Sequence, residues 1–375
     1  MSEPDGSIPL VSLWPLLSGP PSGMGAYFRG LQGDGRSIRF RELEYRARRG
    51  LGMPNALREL ERQVLAPLRN GRILEDIAGR SWVLGGQQFV SHFSPQQLET
   101  AVVVVFDLID ILCPDAHQTP AGIEAAWKSM KNIRAARTIV TISEYARQRI
   151  IGLYPMDPDR VRVIPFGVDS DRFRPCSDEQ KEASRRAFGL PGSSFVVLFV
   201  GSEQRRKNLE TLVAGLAMYR RRDPSLVFVK AGVAQSKSGR ERFHSALKAN
   251  QMEEVTVLRE DLTDDQIVQL YRAADVLAFP SVEEGWGVPV LEAMASGVPV
   301  LSSRIGPVVE FAGDSVLHVD DPYSPRDWAS GLNSIAADPS LRQRLKTSGR
   351  QRALILTWAR SREFFAANFH LVGVG

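Results

Sequence analysis

Glu284 and Glu292 stand eight positions apart in EEGWGVPVLEAMASGVPV, residues 283–300, with Gly285, Trp286 and Gly287 between them and Pro289 just beyond. The apolar run VLAFPS that precedes them reads as a buried strand ending near Ser281. VEEGWG is then a loop whose glycines let backbone approach a ligand closely. Pro289 suits the first turn of a helix, where its missing N–H has no partner to lose. Gly297 suits that helix's far end. The N–H groups at the helix start, around Val288, face the loop and form a ready phosphate site. Glu284 in the loop and Glu292 in the first turn can accept hydrogen bonds from hydroxyls. Glutamates near a helix start also occur simply to complement its dipole, so spacing alone leaves a structural role open.

A second cluster lies in FVGSEQRRKNLETLVAGLAMY, residues 199–219. A buried strand ends at Gly201, a polar turn holds Arg205, Arg206 and Lys207, and a helix begins near Asn208. Cations beside a helix N-terminus oppose its dipole. An anion between them removes the conflict, and a diphosphate has the right charge. A solvated basic turn is the structural alternative. Together the two clusters offer donors for phosphate and acceptors for hydroxyls, the two kinds of group that a nucleotide sugar carries.

Short apolar runs alternating with helix-length segments must position these residues. IPLVSLW, QQFVSHF, AVVVVFDL, TIVTIS and VRVIPF read as strands in the first half. SFVVLFVG, SLVFVKAG, VTVLRE, VLAFPS, VPVLSS and VLHV read as strands in the second. Runs buried on both faces and separated by helices predict parallel sheets in α/β units. A polar stretch at 167–192 divides the series, giving domains 1–176 and 177–357. After Val319 the pattern is helical to the end.

A chain of 375 residues suits two cores rather than one. Its 43% apolar and 24% charged residues are those of a globular protein. The net charge of +4 permits an anionic ligand or surface without requiring one. Two cysteines, Cys113 and Cys176, build neither a disulfide framework nor a zinc site, which points to a reducing compartment. The N-terminus is acidic where a signal peptide is basic, and the run AVVVVFDLIDILC is too short to span a bilayer. A cytoplasmic protein is expected, with peripheral attachment at the inner face of the membrane left open. Ten arginines against four glutamates between Arg36 and Arg72, densest at Arg46, Arg48 and Arg49, read as a solvated helical face or as a surface for anionic lipid. Interleaved aromatics are few, so no nucleic acid is expected.

The two clusters resemble the retaining family 4 glycosyltransferases of the GT-B fold. Glu284 and Glu292 match that family's acid pair, and Gly201 with Lys207-Asn208 matches its strand, glycine and Lys-Asn before a helix. AARTIVTISEYARQRI, VRVIPFGVDSDRFRP and LTDDQIVQLYRAADVLAFPS resemble further family segments in the same order. The resemblance implies two Rossmann-like domains with parallel sheets facing across a cleft, and a C-terminal helix at about 358–375 packing back on the first. It implies a donor site in the second domain and an acceptor site in the first. Glu284 would meet the transferred hexose and Glu292 the ribose. Lys207, with Arg205 or Arg206, would neutralise the diphosphate. Gly285, Trp286, Gly287 and Val288 would lie along the donor. No metal or other cofactor is expected.

The family often carries an Arg where Ser202 stands, and His-Asp where Phe106-Asp107 stands. His92, at another expected strand end, and Asp107 are weaker acceptor-side candidates. SGMGAYFRGL resembles the family's first-domain glycine loop and places Gly25 near the donor phosphates. It matches a dinucleotide fingerprint poorly, because Phe28 takes the third glycine. The implied activity is transfer of a hexosyl group, mannosyl favoured, from a nucleotide-diphosphate sugar to a glycan or polyprenyl-diphosphate-linked acceptor. GDP-mannose is the leading donor expectation, and UDP-glucose stays open. A nucleotide-sugar epimerase and a non-catalytic nucleotide-sugar-binding subunit are the alternatives.

Overall fold

The computed structural model describes residues 8–12, 23–34, 38–44, 71–113 and 120–373. The chain divides into two compact units, residues 1–167 with 358–375, and residues 168–357. Among the described residues the first unit holds six parallel strands: β1 (Ile8–Ser12), β2 (Phe40–Glu44), β3 (Trp82–Leu84), β4 (Ala101–Val105), β5 (Thr138–Thr141) and β6 (Val161–Val163), in the order β2-β1-β3-β4-β5-β6. The second holds six more: β7 (Phe195–Val200), β8 (Leu226–Ala231), β9 (Thr256–Arg259), β10 (Val276–Phe279), β11 (Val300–Ser303) and β12 (Leu317–Val319), in the order β12-β11-β10-β7-β8-β9.

The central strands are apolar on both faces because helices cover both. All five residues of β4, AVVVV, are buried. In the second sheet the chain builds outward from β7 through β8 to β9, then returns to build from β10 through β11 to β12. Strand order reverses between β7 and β10, and such a reversal opens a crevice at the carboxyl ends of the strands. The loops after Val200 and after Phe279 therefore emerge side by side.

Four expectations need correction. Gln87–His92 is a 3-10 helix, not a strand. Gly85 and Gly86 end β3, and the Gln87 side chain is then occupied. Its Nε2 donates to the Asp107 carbonyl at 3.0 Å and its Oε1 accepts from the Phe106 N–H at 3.4 Å. His92 thus lies at the end of a helical turn. Gly25 lies in the first turn of the helix Gly23–Gln32, buried, rather than in a glycine loop. That helix buries Tyr27, Phe28 and Leu31, which drive its packing. The units divide after Gly167 rather than after Cys176. Residues from Val168 belong to the second unit because Val168 bridges Thr357 and the Arg350 guanidinium donates to the carbonyls of Ser170 and Phe173. Finally, β2 and β3 were not foreseen. Most of the basic stretch at 36–72, including Arg46, Arg48 and Arg49, lies outside the described residues.

The terminal helix Trp358–Gly373 belongs to the first unit, as expected. Gly30 admits it: a Cβ there would sit 2.3 Å from the Trp358 ring. Ser361 donates to the Pro165 carbonyl at 2.9 Å and Arg362 to the Gly30 carbonyl at 2.9 Å. Trp358 and Phe365 join an aromatic cluster with Tyr27, Phe28, Phe40, Phe106 and Phe166.

Candidate active site

The site starts where β7 ends. Gly201 has φ 152°, and Gly232 at the end of β8 has φ 109°. A Cβ on Gly232 would come within 2.9 Å of the Gly201 carbonyl oxygen, so the two strand ends meet through glycine. The loop that follows is anchored by Glu203, whose side chain is 1% exposed. Its carboxylate pairs with Lys230 of β8 at 2.8 Å and with Arg240 at 2.9 Å. Arg240 also pairs with Glu260. Arg205–Lys207 then form a 3-10 turn, and Asn208 takes the left-handed conformation, φ 49°, that turns the chain into the helix Leu209–Arg220. Asn208 Nδ2 donates to the Pro322 carbonyl at 2.7 Å, which fixes this corner.

The second loop leaves β10 beside the first. The Val282 N–H donates to the Arg206 carbonyl at 2.8 Å, stitching the two together. Glu284 arrives between the cations. Its Oε2 lies 2.8 Å from Arg206 Nη1, and its Oε1 accepts from Lys207 Nζ. Arg206 Nη1 also donates to the Glu283 carbonyl at 3.0 Å. The side chains of Glu284 and Lys207 are each 11% exposed, so this is a largely desolvated trio, not a surface pair. Burial pushes the Glu284 carboxyl upward. The charges of Lys207 and Arg206, with the hydrogen bond from Lys207, outweigh that and hold it below its usual value. Lys207 Nζ also lies 5.7 Å from the centre of the Phe279 ring.

Gly285, Trp286 and Gly287 follow, all buried. The Trp286 ring stacks on Phe311, with centroids 4.7 Å apart, so its side chain is a packing element and its backbone forms the loop floor. Gly287 has φ 124° and caps the helix Val288–Ala295, with Val288 as its first residue. Glu292 is the fifth residue of that helix, one turn deeper than the first-turn position expected. Tyr271, wholly buried, donates to Glu292 Oε2 at 2.7 Å. Burial drives the Glu292 carboxyl up to about 7; the Tyr271 hydrogen bond and the Arg172 charge pull against it, and Asp264 adds to it.

The fold thus brings Gly201, Arg206, Lys207, Glu284, Gly285, Trp286, Gly287, Val288 and Glu292 to one end of the second sheet. It resolves the choice between the arginines in terms of contact: Arg206 meets Glu284, and Arg205 is exposed. Tyr271 and Arg172 were missed, although both stand inside quoted segments. A tyrosine on the buried face of a helix needs a partner for its hydroxyl, and that was the available signal. Gly25, His92 and Asp107 belong to the first unit. Asp107 Oδ1 accepts from the Ile109 N–H at 3.0 Å, at the start of the short helix Ile109–Leu112. Phe106 is buried against Tyr27, with ring centroids 5.2 Å apart, in the aromatic cluster. Among the described residues no group of three or more His, Cys, Asp or Glu side chains is arranged to hold a metal ion, and no helix is long and apolar enough to cross a membrane.

This arrangement joins fixed cations, a carboxylate and a helix N-terminus at a topological switch point, the place where open α/β sheets bind ligands. The chain is similar to known proteins. Residues 180–352 match the Glycosyl transferases group 1 family, and residues 113–172 match Glycosyltransferase Family 4. A D-inositol 3-phosphate glycosyltransferase of Saccharomonospora viridis is 33% identical over 61% of this chain and 54% of its own length. One from Salinispora arenicola is 36% identical over 56% of this chain and 50% of its own. The chain thus spans about half the length of these curated relatives. Anabaena HepE in complex with UDP-glucose has a TM-score of 0.74 at 17% identity, covering 97% of this chain and 99% of HepE. WaaG, a glycosyltransferase involved in lipopolysaccharide biosynthesis, has a TM-score of 0.74 at 16% identity, covering 96% and 99%. The fold is therefore that of the GT-B glycosyltransferases, and the site described above lies within residues 180–352, the segment that matches the Glycosyl transferases group 1 family.

Proposed function

We propose that this protein transfers a hexosyl group from a nucleotide-diphosphate sugar to an acceptor with retention of anomeric configuration. The observation that carries the reading is the desolvated trio of Arg206, Lys207 and Glu284 at the switch point. A departing nucleoside diphosphate gains negative charge as the glycosidic bond breaks. Fixed cations in a desolvated site stabilise that charge without reorganising. A lysine ammonium carries three donors and a guanidinium five, so both cations keep N–H groups for phosphate while holding Glu284. Glu284, held from that side, accepts from sugar hydroxyls, and Glu292 accepts from the ribose. The helix N-terminus at Gly287–Val288 adds backbone donors.

For the donor, GDP-mannose remains the first to test. UDP-glucose is the second, favoured by the HepE complex. The acceptor is proposed as a glycan or lipid-linked glycan at an anionic membrane surface, with the basic stretch at 36–72 as its contact. The curated relatives are named for an inositol phosphate, so a phosphorylated polyol belongs in the acceptor panel. The test is thermal stabilisation by UDP, GDP and their sugars, followed by transfer assays with the stabilising donor. A ligand at 100 times its dissociation constant adds about 2.7 kcal/mol. Stabilisation by one nucleotide family and acceptor-dependent turnover is expected. Failure of every nucleotide to stabilise the protein would refute the donor site. Binding without turnover on the full acceptor panel would favour a binding subunit, consistent with Phe106 and Ser202.

A further inference from the structure

We propose that Tyr271 is the positioning residue for Glu292: its buried hydroxyl holds one carboxylate oxygen and leaves the other to accept a ligand hydroxyl, which ties nucleotide binding to the ionisation of this acid. The proposal rests on the donor-site reading above and adds a residue and a control to it.

The geometry is specific. Tyr271 Oη lies 2.7 Å from Glu292 Oε2 and 3.4 Å from the Pro289 carbonyl oxygen, so the hydroxyl sits under the first turn of the helix that carries Glu292. No described residue hydrogen-bonds to Glu292 Oε1. The tyrosine cannot swing away. It is 0% exposed, and its ring packs edge-on against Phe173 at 5.7 Å. Its helix, Asp264–Ala273, is braced by Arg172, which pairs with Asp264 at 3.1 Å and Asp265 at 3.2 Å. Burial first, and then the Glu292 charge, hold the phenol well above its ordinary value. It therefore stays a donor across the working pH range, and a donor stabilises the ionised carboxylate.

The charges that act on Glu292 come from two elements. The segment after Val168 brings Arg172. The helix Asp264–Ala273 brings Tyr271 and Asp264, and its Asp265 is paired with Arg172. On the helix Pro339–Ala353, Arg350 is bound instead to the Ala295 carbonyl at 2.7 Å. Strands β10 and β11 bring none. With its carboxyl at about 7, Glu292 is divided between its two forms near neutrality. A ligand hydroxyl donating to Oε1 favours the ionised form, so binding expels a proton. Affinity then rises with pH and levels off above about 7.

The experiment is titration calorimetry with UDP-glucose and GDP-mannose from pH 6 to 8.5. These sugars lack the terminal phosphate of free diphosphates, which itself titrates near pH 6. Wild-type affinity for the bound donor should rise about tenfold between pH 6 and pH 8, the limit for one proton with a midpoint of about 7. Glu292→Gln should bind more weakly and show no such dependence. Tyr271→Phe keeps the ring and removes the hydroxyl. Its affinity should fall at pH 7, its midpoint should move upward, and the gap should narrow by pH 8.5. A merely structural tyrosine would leave the midpoint in place. Tyr271→Phe with wild-type affinity and midpoint overturns the positioning role. Should that variant not fold, the wild type alone decides by proton release at pH 7, measured in two buffers of different ionisation enthalpy. About half a proton is expected, and none overturns the coupling. A wild type that binds neither sugar refutes the donor-site reading itself, an outcome distinct from either.

Discussion

Replacing Glu292 by glutamine should make the ligand-free protein more stable at pH 8 and leave it unchanged near pH 4. Glutamine keeps the shape of the side chain and an oxygen for the Tyr271 hydroxyl, 2.7 Å away in the native site. What it removes is an acid that folding disfavours as an anion. The Glu292 carboxyl rises from 4.5 to about 7 on burial. Between those values the folded state holds a proton that the unfolded chain has lost, so stability falls as pH rises through that window. Below about 4.5 both states are protonated and the penalty vanishes. Above about 7 it is complete. The gap, at 1.36 kcal/mol per pH unit, caps the penalty at about 3 kcal/mol. Glu292 keeps part of its surface open, and solvent screening brings the expected gain to about 1–2 kcal/mol. For a unit of this size that is about 2–8 °C in the transition midpoint. Differential scanning calorimetry at pH 4, 6 and 8 measures it in the transition that responds to nucleotide. A gain that is the same at every pH would refute the argument, because it would come from packing rather than from the proton. So would destabilisation at pH 8.

Further outcomes follow from the trio. Lys207→Ala should lower turnover at saturating donor by about two orders of magnitude, the scale of one preorganised transition-state contact. Arg205→Ala should stay near wild type, because Arg205 is exposed where Arg206 meets Glu284; steady-state kinetics on these two variants decides both points. Glu284→Gln should cost about 3 kcal/mol by leaving two largely buried cations short of a counter-charge. The same variant should be stabilised by pyrophosphate more than the wild type is, since the anion restores that charge; equal thermal shifts would contradict it.

The second unit was largely legible in the sequence and the first was not, for a physical reason. Strands β7 to β12 are bounded by glycine, proline and charged turns, and each expected run contains the observed strand. Their ends carry the site, so chemistry and topology reinforce one another there. In the first unit β2 is FRELE, an edge strand with three charged residues in five, which lacks the continuous apolar signal of a central one. β3 is only Trp82–Leu84, and the longer apolar run after it drew the assignment instead. That run is held as a 3-10 helix by a side chain, Gln87, bonded to Phe106 and Asp107 about twenty positions away. Local pattern carries no information about such a bond. Tyr271 was hidden similarly: its residue type was visible, but its partner Glu292 is reached only through the fold.

The ligand-free site also explains how a fold tolerates two adjacent cations beside a helix start. Arg206 and Lys207 stand within one 3-10 turn just before Leu209, where the helix dipole is positive. Unpaired, they would repel each other and oppose that dipole in a desolvated place. Glu284 removes the conflict by pairing with both. A carboxylate gives each cation a direction as well as a counter-charge, so the cations are aimed before any phosphate arrives. That matters for transfer chemistry, in which only interactions stronger in the transition state than in the ground state speed the reaction. If the cations lacked Glu284, they would grip the ground-state diphosphate at full strength and raise affinity more than rate. Shared with Glu284, they hold the bound donor less tightly and gain strength as the leaving group takes on charge. On this reasoning Glu284→Gln should lower both turnover and the dissociation constant of the free nucleoside diphosphate. A variant that lost turnover while its diphosphate affinity fell as well would show that Glu284 shapes the phosphate pocket and does not temper it.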